Sequence, residues 1–145
     1  MEQKNYHSSI AANMPAKDVY ANIANVGAWW NKNFNGKAEQ VGDKFKIRFG
    51  EEATVDFEIT EAVPDKKIVW HVTDCNLHWL KDKKEWKDTK VVWELTPQNN
   101  ATKIDMTHIG IVPGIECYES CEKGWNHYVK DSLFKLLAEG KGQPD

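Results

Sequence analysis

The sequence predicts an α+β domain in which a long C-terminal helix lies across a curved antiparallel β-sheet. Two observations lead to this fold class. From Lys44 to Ile111, apolar and polar residues alternate, which is typical of half-buried strands. From Glu116 to Glu139, apolar residues recur three and four positions apart, which places them on one face of an α-helix. Such a helix, about six turns long, needs a large apolar partner, and the sheet is the only candidate.

The predicted C-terminal helix has clear boundaries. Pro113 and Gly114 interrupt the chain before it, and Gly140 ends it. Its apolar face is aromatic and aliphatic and consists of Cys121, Trp125, Tyr128, Val129, Leu133, Leu136 and Leu137. A face of this kind is expected to form one wall of the core.

The start of the chain predicts a strand and two short helices. Residues 6–13 alternate weakly and indicate a first strand. Pro15 suits the first turn of a helix, where its missing N–H has no consequence. A second helical turn is predicted over 28–31. Its tandem tryptophans, Trp29 and Trp30, should close one end of the core or of a cavity.

Five alternating runs predict an antiparallel meander, since no βαβ rhythm interrupts them. The runs are centred on 45–49, 55–59, 68–72, 91–95 and 104–108. The longest connection, 74–90, is a charged hairpin that also carries Trp79 and Trp86. We expect these aromatic residues to fold back over the core rather than to form a contact patch, because folding back hides apolar area.

Composition indicates one domain spanning residues 1–145. The formal net charge is -3, and all but one of the 19 basic residues are lysines. Nucleic-acid-binding proteins usually carry an arginine-rich basic surface, so nucleic acid is not an expected partner. Because the sequence has neither a signal peptide nor a membrane-spanning stretch, and its three cysteines fit reduced thiols, we expect no membrane insertion and a cytoplasmic location.

His108 is the strongest candidate for chemistry. It alternates with Ile104 and Met106 in the last strand and so should point toward the helix. An imidazole in a cavity could orient a ligand's hydroxyl or carbonyl group, or act as a general base. The alternative is a core histidine bonded to a backbone carbonyl or to Tyr128. We favour structure or passive ligand contact over catalysis.

Other catalytic arrangements find little support. His71, Cys75 and His78 have a spacing that suggests a metal site. On a strand, however, His71 and Cys75 should point the same way about 13 Å apart, too far for one zinc ion. We therefore predict neither a metal nor a cofactor. The sequence also lacks Gly-x-Ser-x-Gly, phosphate-binding and dinucleotide motifs, so nucleophilic catalysis is not expected.

Several stretches resemble a known superfamily over nearly the whole chain. They are Trp29-Trp30, 64–70, 85–90, 92–97, 102–110, Gly124-Trp125 and 132–140. The chain is similar to the START-like/SRPBCC superfamily of Bet v 1-like helix-grip proteins, close to the activator of heat-shock-protein-90 ATPase homologue family. The resemblance implies a seven-stranded sheet, with a further strand near Gly36–Gln40, and an apolar cavity under the C-terminal helix. It also implies a heat-shock chaperone as an alternative partner.

These observations together predict binding of a small hydrophobic ligand, such as a lipid or polyketide. The residues expected to line the cavity are Trp30, Phe45, Ile47, Phe57, Trp70, Trp93, Leu95, Met106, His108, Trp125, Tyr128, Val129 and Ser132. Apolar burial would supply affinity, while His108 and Tyr128 orient the ligand. Two alternatives are a chaperone-associated interaction module and, less favoured, a polyketide cyclase-like or dehydratase-like enzyme.

Overall fold

A seven-stranded antiparallel sheet, in the order β1-β7-β6-β5-β4-β3-β2, carries the C-terminal helix on one face. The computed structural model describes residues 5–31, 34–49, 53–77, 84–99, 101–111 and 118–142. Its strands are β1 (Tyr6–Ala12), β2 (Asn35–Gly36), β3 (Lys44–Phe49), β4 (Ala53–Val63), β5 (Lys67–Asn76), β6 (Lys90–Gln98) and β7 (Ala101–Ile109). The predicted α+β helix-grip fold is confirmed.

Cross-strand rows bring the inward-facing side chains together. One row runs through Tyr6, His108, Val91, Trp70 and Ile59. The next row runs through Ser8, Met106, Trp93 and Ile68. Directly opposed residues on one face of a sheet lie within contact distance. Along these two rows the inner face is therefore mostly apolar, and its polar side chains there are one tyrosine, one histidine and one serine.

Two bulges interrupt the β4–β5 pairing. Thr60 is an extra residue on β4, and Thr73 is an extra residue on β5. A bulge shifts the alternation of its strand by one position. As a result Cys75 faces the core while His71 faces outward, so the prediction that these two side chains point the same way is wrong.

The segment after β1 forms two short helices, as predicted, with different boundaries. The first helix, α1, spans Ala16–Ala24 and begins directly after Pro15. The second is a 3₁₀ turn over Val26–Ala28, two residues earlier than expected, so Trp29 and Trp30 follow it rather than lie in it. The strand expected near Gly36–Gln40 is the two-residue β2.

The C-terminal helix changes its winding midway. It is α-helical over Tyr118–Trp125 (α2), π-helical over Asn126–Leu133 and α-helical again over Phe134–Glu139 (α3). Gly140 ends it in a left-handed conformation with φ of 79°. The predicted start at Glu116 and the side chain of Cys121 lie outside the described part of the chain. No described helix has the length and apolar character needed to cross a bilayer.

Candidate functional site

The residues predicted to line a cavity lie on two facing walls of the core. All of them are buried except Tyr128, which is partly buried. The sheet contributes Phe45, Ile47, Phe57, Trp70, Trp93, Leu95, Met106 and His108. The C-terminal helix contributes Trp125, Tyr128, Val129 and Ser132, and Trp30 enters from the segment after the 3₁₀ turn. The structure therefore brings the set together around one interior, and whether a ligand occupies it remains a prediction.

Tryptophan rings bridge the two walls. The ring centroid of Trp30 lies 4.8 Å from that of Trp125 on the helix and 6.0 Å from that of Trp70 on the sheet. Trp93 is 5.3 Å from Trp70 and 5.5 Å from Trp29. These separations are typical of aromatic pairs in protein cores. The centre of the interior is therefore walled by broad, flat aromatic side chains.

The π-helical segment faces this aromatic cluster. Val129, Ser132 and Leu133 all lie in the segment and are fully buried. The Ser132 hydroxyl donates to the backbone carbonyl of Trp29, which joins the helix to the residue before Trp30. π-helical turns are rare and occur frequently at functional sites. The helix is thus irregular at the position where it covers the tryptophans.

A directed chain of hydrogen bonds runs through His108. The Trp125 indole N–H donates to Nδ1 of His108 over 3.0 Å. An indole nitrogen can only donate, so Nδ1 accepts and the proton of the neutral ring lies on Nε2. Nε2 in turn donates to Thr89 Oγ1 over 2.8 Å, and this hydroxyl donates to the Trp86 carbonyl over 2.6 Å. Both ring nitrogens are therefore engaged, by Trp125 and by Thr89. The structural interpretation of His108 had instead predicted a bond to Tyr128 or to a backbone carbonyl, and the partners in that prediction are wrong.

Burial keeps this imidazole neutral. His108 is fully buried, and desolvation lowers its pKa from 6.5 to about 3. A general base must accept a proton at working pH and must have an available lone pair. The geometry instead suits a fixed hydrogen-bond connector, which agrees with our preference for a structural or passive role.

The segment of residues 84–89, here called the Trp86 cap, closes one end of the interior. The Trp86 ring is 6% exposed, stacks on Trp125 at 6.0 Å and meets the edge of His108 at 4.6 Å. Trp86 therefore folds back over the core as predicted, whereas Trp79 lies outside the described residues. Gly110 packs so closely beneath the cap that an added Cβ would lie 2.6 Å from Thr89 Cγ2.

The cap is attached to β5 by several polar contacts. The Asp88 N–H donates to the Val72 carbonyl over 2.8 Å, and Lys84 pairs with Asp74 at 2.9 Å. That lysine, together with the Cys75 backbone N–H, holds the pKa of Asp74 below its usual value. The Cys75 thiol lies beneath the cap, where burial raises its pKa. The edge of the cap beside the buried Trp86 ring thus carries an exposed ion pair, and such pairs are of modest strength.

The histidines and cysteine of the considered metal site do not converge. His71 contacts Asp88 at 3.2 Å on the outer face, while Cys75 is buried on the inner face. His78 lies outside the described residues. Among the residues that the structure describes, no group of three or more histidine, cysteine or acidic side chains is placed to hold a metal ion.

A groove of about 360 Å³ opens on the outer face of the sheet, away from the predicted ligand site. It is lined by Asn35, Lys44, Phe45, Lys46, Asp56, Phe57 and Thr73. The amino group of Lys46 is already 3.7 Å from the Asp56 carboxylate. Lys46 and Asp56 thus form a cross-strand ion pair, and Lys44 leaves the groove lining with one more basic than acidic side chain.

Sequence reasoning missed several polar residues of the interior. Thr89 lies in a charged hairpin with no regular period, so nothing in the pattern pointed to His108 as its partner. The Tyr6 hydroxyl donates to Asn126 Oδ1 over 2.6 Å, across most of the chain. Burial also raises the pKa of Tyr6. Such long-range polar pairs leave no periodic signal in a sequence.

A curved sheet that grips a long helix over an aromatic interior defines a helix-grip protein. The sequence model of the family described as Activator of Hsp90 ATPase homolog 1-like protein matches residues 13–138, and the chain belongs to this family. No curated protein sequence matches the chain.

Solved structures share the fold at low sequence identity. The Aha1 dimer from Colwellia psychrerythraea superposes with a TM-score of 0.77 at 23% identity, covering 95% of this chain and 98% of that one. DynU16, from the dynemicin biosynthetic locus, has a TM-score of 0.74 at 17% identity and covers 97% of this chain but 49% of its own. A protein from Staphylococcus saprophyticus has a TM-score of 0.71 at 14% identity, with 96% and 95% coverage. At these identities the likeness shows the fold alone.

Proposed function

We propose that this chain binds a small, largely apolar molecule between the sheet and the C-terminal helix. The observation that carries the proposal is the π-helical segment Asn126–Leu133, which covers a cluster of buried tryptophans. A regular α-helix would serve equally well as a lid on a filled core. An irregular one at this position is more typical of a site that accommodates something else.

The chemistry of the walls supports an apolar ligand with a few polar groups. Ligand sites are mostly apolar and contain a small number of polar side chains that fix orientation. Among the residues predicted to line the site, the polar ones are His108, Ser132 and the partly buried Tyr128. Tyr128 lies in the π-helical segment and is partly buried against the core, so it is the side chain we expect to meet the ligand directly.

The Trp86 cap is the proposed entrance. Trp86 covers the interior at the level of Trp125 and is held by the exposed Lys84–Asp74 pair and by a short hydrogen-bonded turn. Exposed ion pairs contribute little to stability, so this segment should open more easily than the strands beneath it. Opening would uncover the Trp86 and Trp125 rings without disturbing the sheet.

Native mass spectrometry of the purified protein, followed by denaturing extraction, tests the proposal. We expect a bound molecule that is lost on denaturation. Val129→Phe, which adds bulk to the helix wall, should reduce its occupancy. Phe134→Tyr, at a 41% exposed position of the same helix, should not. The proposal fails if no molecule co-purifies and if no lipid or aromatic polyketide in a panel changes the tryptophan fluorescence or the Tm.

Family membership favours a second candidate, association with an Hsp90-type chaperone. If the chain acts in this way, it should raise the ATP turnover of a purified Hsp90 homologue in proportion to its concentration. The ATP hydrolysis that remains in the presence of an Hsp90 nucleotide-site inhibitor is the background to subtract. No change in turnover and no binding at micromolar concentrations would exclude this candidate. An enzymatic reaction is not proposed, because both nitrogens of His108 are engaged.

A further inference from the structure

Two buried indole N–H groups in the interior have no hydrogen-bond acceptor. They belong to Trp70 and Trp93, which are both 0% exposed and find no acceptor in the part of the chain that the structure describes. Two other tryptophans of the core, Trp29 and Trp125, differ in this respect. Trp29 donates to the Ile23 carbonyl over 3.2 Å, and Trp125 donates to His108. A buried donor without an acceptor is unfavourable and calls for an explanation.

The two donors lie next to each other on the sheet wall of the proposed site. Trp70 is on β5 and Trp93 on β6, and their ring centroids are 5.3 Å apart in an edge-to-face arrangement. Trp30 connects them to the helix wall, since its ring lies 6.0 Å from Trp70 and 4.8 Å from Trp125. Both rings are therefore buried in the wall of the interior that the proposed ligand would contact.

We propose that the ligand carries a neutral hydrogen-bond acceptor, such as a ketone, ester, amide or ether oxygen, which accepts from Trp70 and Trp93. This inference rests on the proposed function and narrows its ligand class. An indole nitrogen only donates, so a hydroxyl or amine of the ligand could bond to Trp70 or Trp93 only as an acceptor, through its lone pairs. A pure hydrocarbon would leave both donors without an acceptor.

The charge of the residues around the interior decides between a neutral and an anionic acceptor group on the ligand. No lysine or arginine is buried among the described residues, and the one buried imidazole, His108, stays neutral. A carboxylate or phosphate inside would meet no buried lysine or arginine of the described residues, which is strongly unfavourable. The interior therefore favours carbonyl-bearing apolar molecules over fatty acids and phosphorylated lipids.

Acetophenone and ethylbenzene are the probes that test this inference, because they share a phenyl ring and a two-carbon side chain and differ in the carbonyl. The readout is the indole N–H resonances of the wild-type protein in ¹H–¹⁵N spectra. We expect acetophenone to shift the Trp70 and Trp93 resonances downfield in a saturable way. The Trp29 and Trp125 resonances serve as internal controls and should move less, since their N–H groups already have acceptors.

Variants convert the same comparison into affinities. Trp93→Phe keeps a ring and removes the N–H, so it should lower the affinity for acetophenone relative to ethylbenzene by about tenfold. Trp29→Phe removes an N–H that bonds to Ile23 and should leave that ratio unchanged. If a variant does not fold, the wild-type spectra alone decide the question.

The outcomes distinguish this inference from the proposed function. If both probes bind and shift the Trp70 and Trp93 resonances equally, a bound water is the acceptor, the inference is overturned and an apolar ligand site remains. If neither probe shifts any core resonance, the interior does not admit molecules of this size. The proposed function then fails as well.

Discussion

Trp125 donates its indole N–H to Nδ1 of His108 over 3.0 Å, which joins the C-terminal helix to β7 at the centre of the core. The bond fixes more than a distance. Because the donor cannot reverse, the ring must carry its proton on Nε2, which faces Thr89 of the Trp86 cap. One tautomer of one residue thus links the helix, the sheet and the cap.

Acid should destabilise the protein through His108. In the folded state its pKa is lowered to about 3, while the unfolded side chain titrates near 6.5. Between these values the unfolded state binds more protons, so the free energy of unfolding falls as the pH decreases. From pH 6.5 to 4.5 this contribution should amount to about 2 kcal/mol. Urea denaturation at several pH values measures it.

His108→Gln is the control for this pH dependence, because it keeps a polar side chain and removes the titration. We expect a flatter dependence in the variant, even if its stability at pH 7 is lower. Parallel curves for the two proteins would show that carboxylates, and not this histidine, determine the acid response.

Loss of the Thr89 hydroxyl should destabilise the closed cap. Thr89→Val keeps the shape but leaves the His108 Nε2–H without an acceptor and the Trp86 carbonyl without this donor, at a cost of about 1–3 kcal/mol. Thr73→Val removes a hydroxyl that donates to the Asp56 carbonyl at 3.3 Å in a partly exposed place, and should change stability by less than about 0.5 kcal/mol. Equal losses in urea denaturation would argue against a specific role for Thr89.

Two glycines with positive φ separate backbone strain from contact with the cap. Gly110 has φ of 111° and Gly42 has φ of 94°, but only at Gly110 would a Cβ meet Thr89. Both alanine substitutions should cost about 1–2 kcal/mol in strain. Gly110→Ala should cost about 1–3 kcal/mol more and should expose Trp86 to fluorescence quenchers. Equal losses in the free energy of unfolding of the two variants would mean that the cap can shift to accommodate the added methyl group.

Removal of the Ser132 hydroxyl should loosen the helix over the tryptophans. Ser132→Ala deletes the buried donor to the Trp29 carbonyl and should cost about 1–3 kcal/mol in thermal or urea denaturation. Ser9→Ala is the matched control, since its hydroxyl donates to Asp105 on the exposed face and its loss should matter by less than about 0.5 kcal/mol. A similar effect at both positions would contradict the anchoring role of Ser132.

Periodicity was sufficient to predict the fold, because each face of the sheet contacts one kind of environment. Phe45, Phe57 and Trp93 follow a period of two, and this alternation correctly predicts that their side chains point inward. The bulge at Thr73 could not be predicted in this way, because one extra residue in a run of mixed polarity leaves no visible break in the alternation. It reversed the side of the sheet on which Cys75 lies.

The site was only partly accessible from the sequence. Val129 and Leu133 are four residues apart, a spacing compatible with both α and π winding, so the irregular turn could not be recognised. Thr89 and Asn126 depend on partners far away along the chain, and a polar residue's partner is decided by tertiary structure. Apolar walls were therefore predictable, and the hydrogen bonds that organise them were not.

The change of winding in the C-terminal helix also affects how the helix can move. The π-helical segment is fixed just before its start by the bond from Trp125 to His108 and near its end by the bond from Ser132 to Trp29. Between these anchors, π winding pairs each residue with the fifth along the chain instead of the fourth. A return to α winding would lengthen that stretch and would shift one anchor relative to the other. The winding of the segment and its two anchoring bonds are thus geometrically linked, and a change in the winding would strain at least one of the bonds.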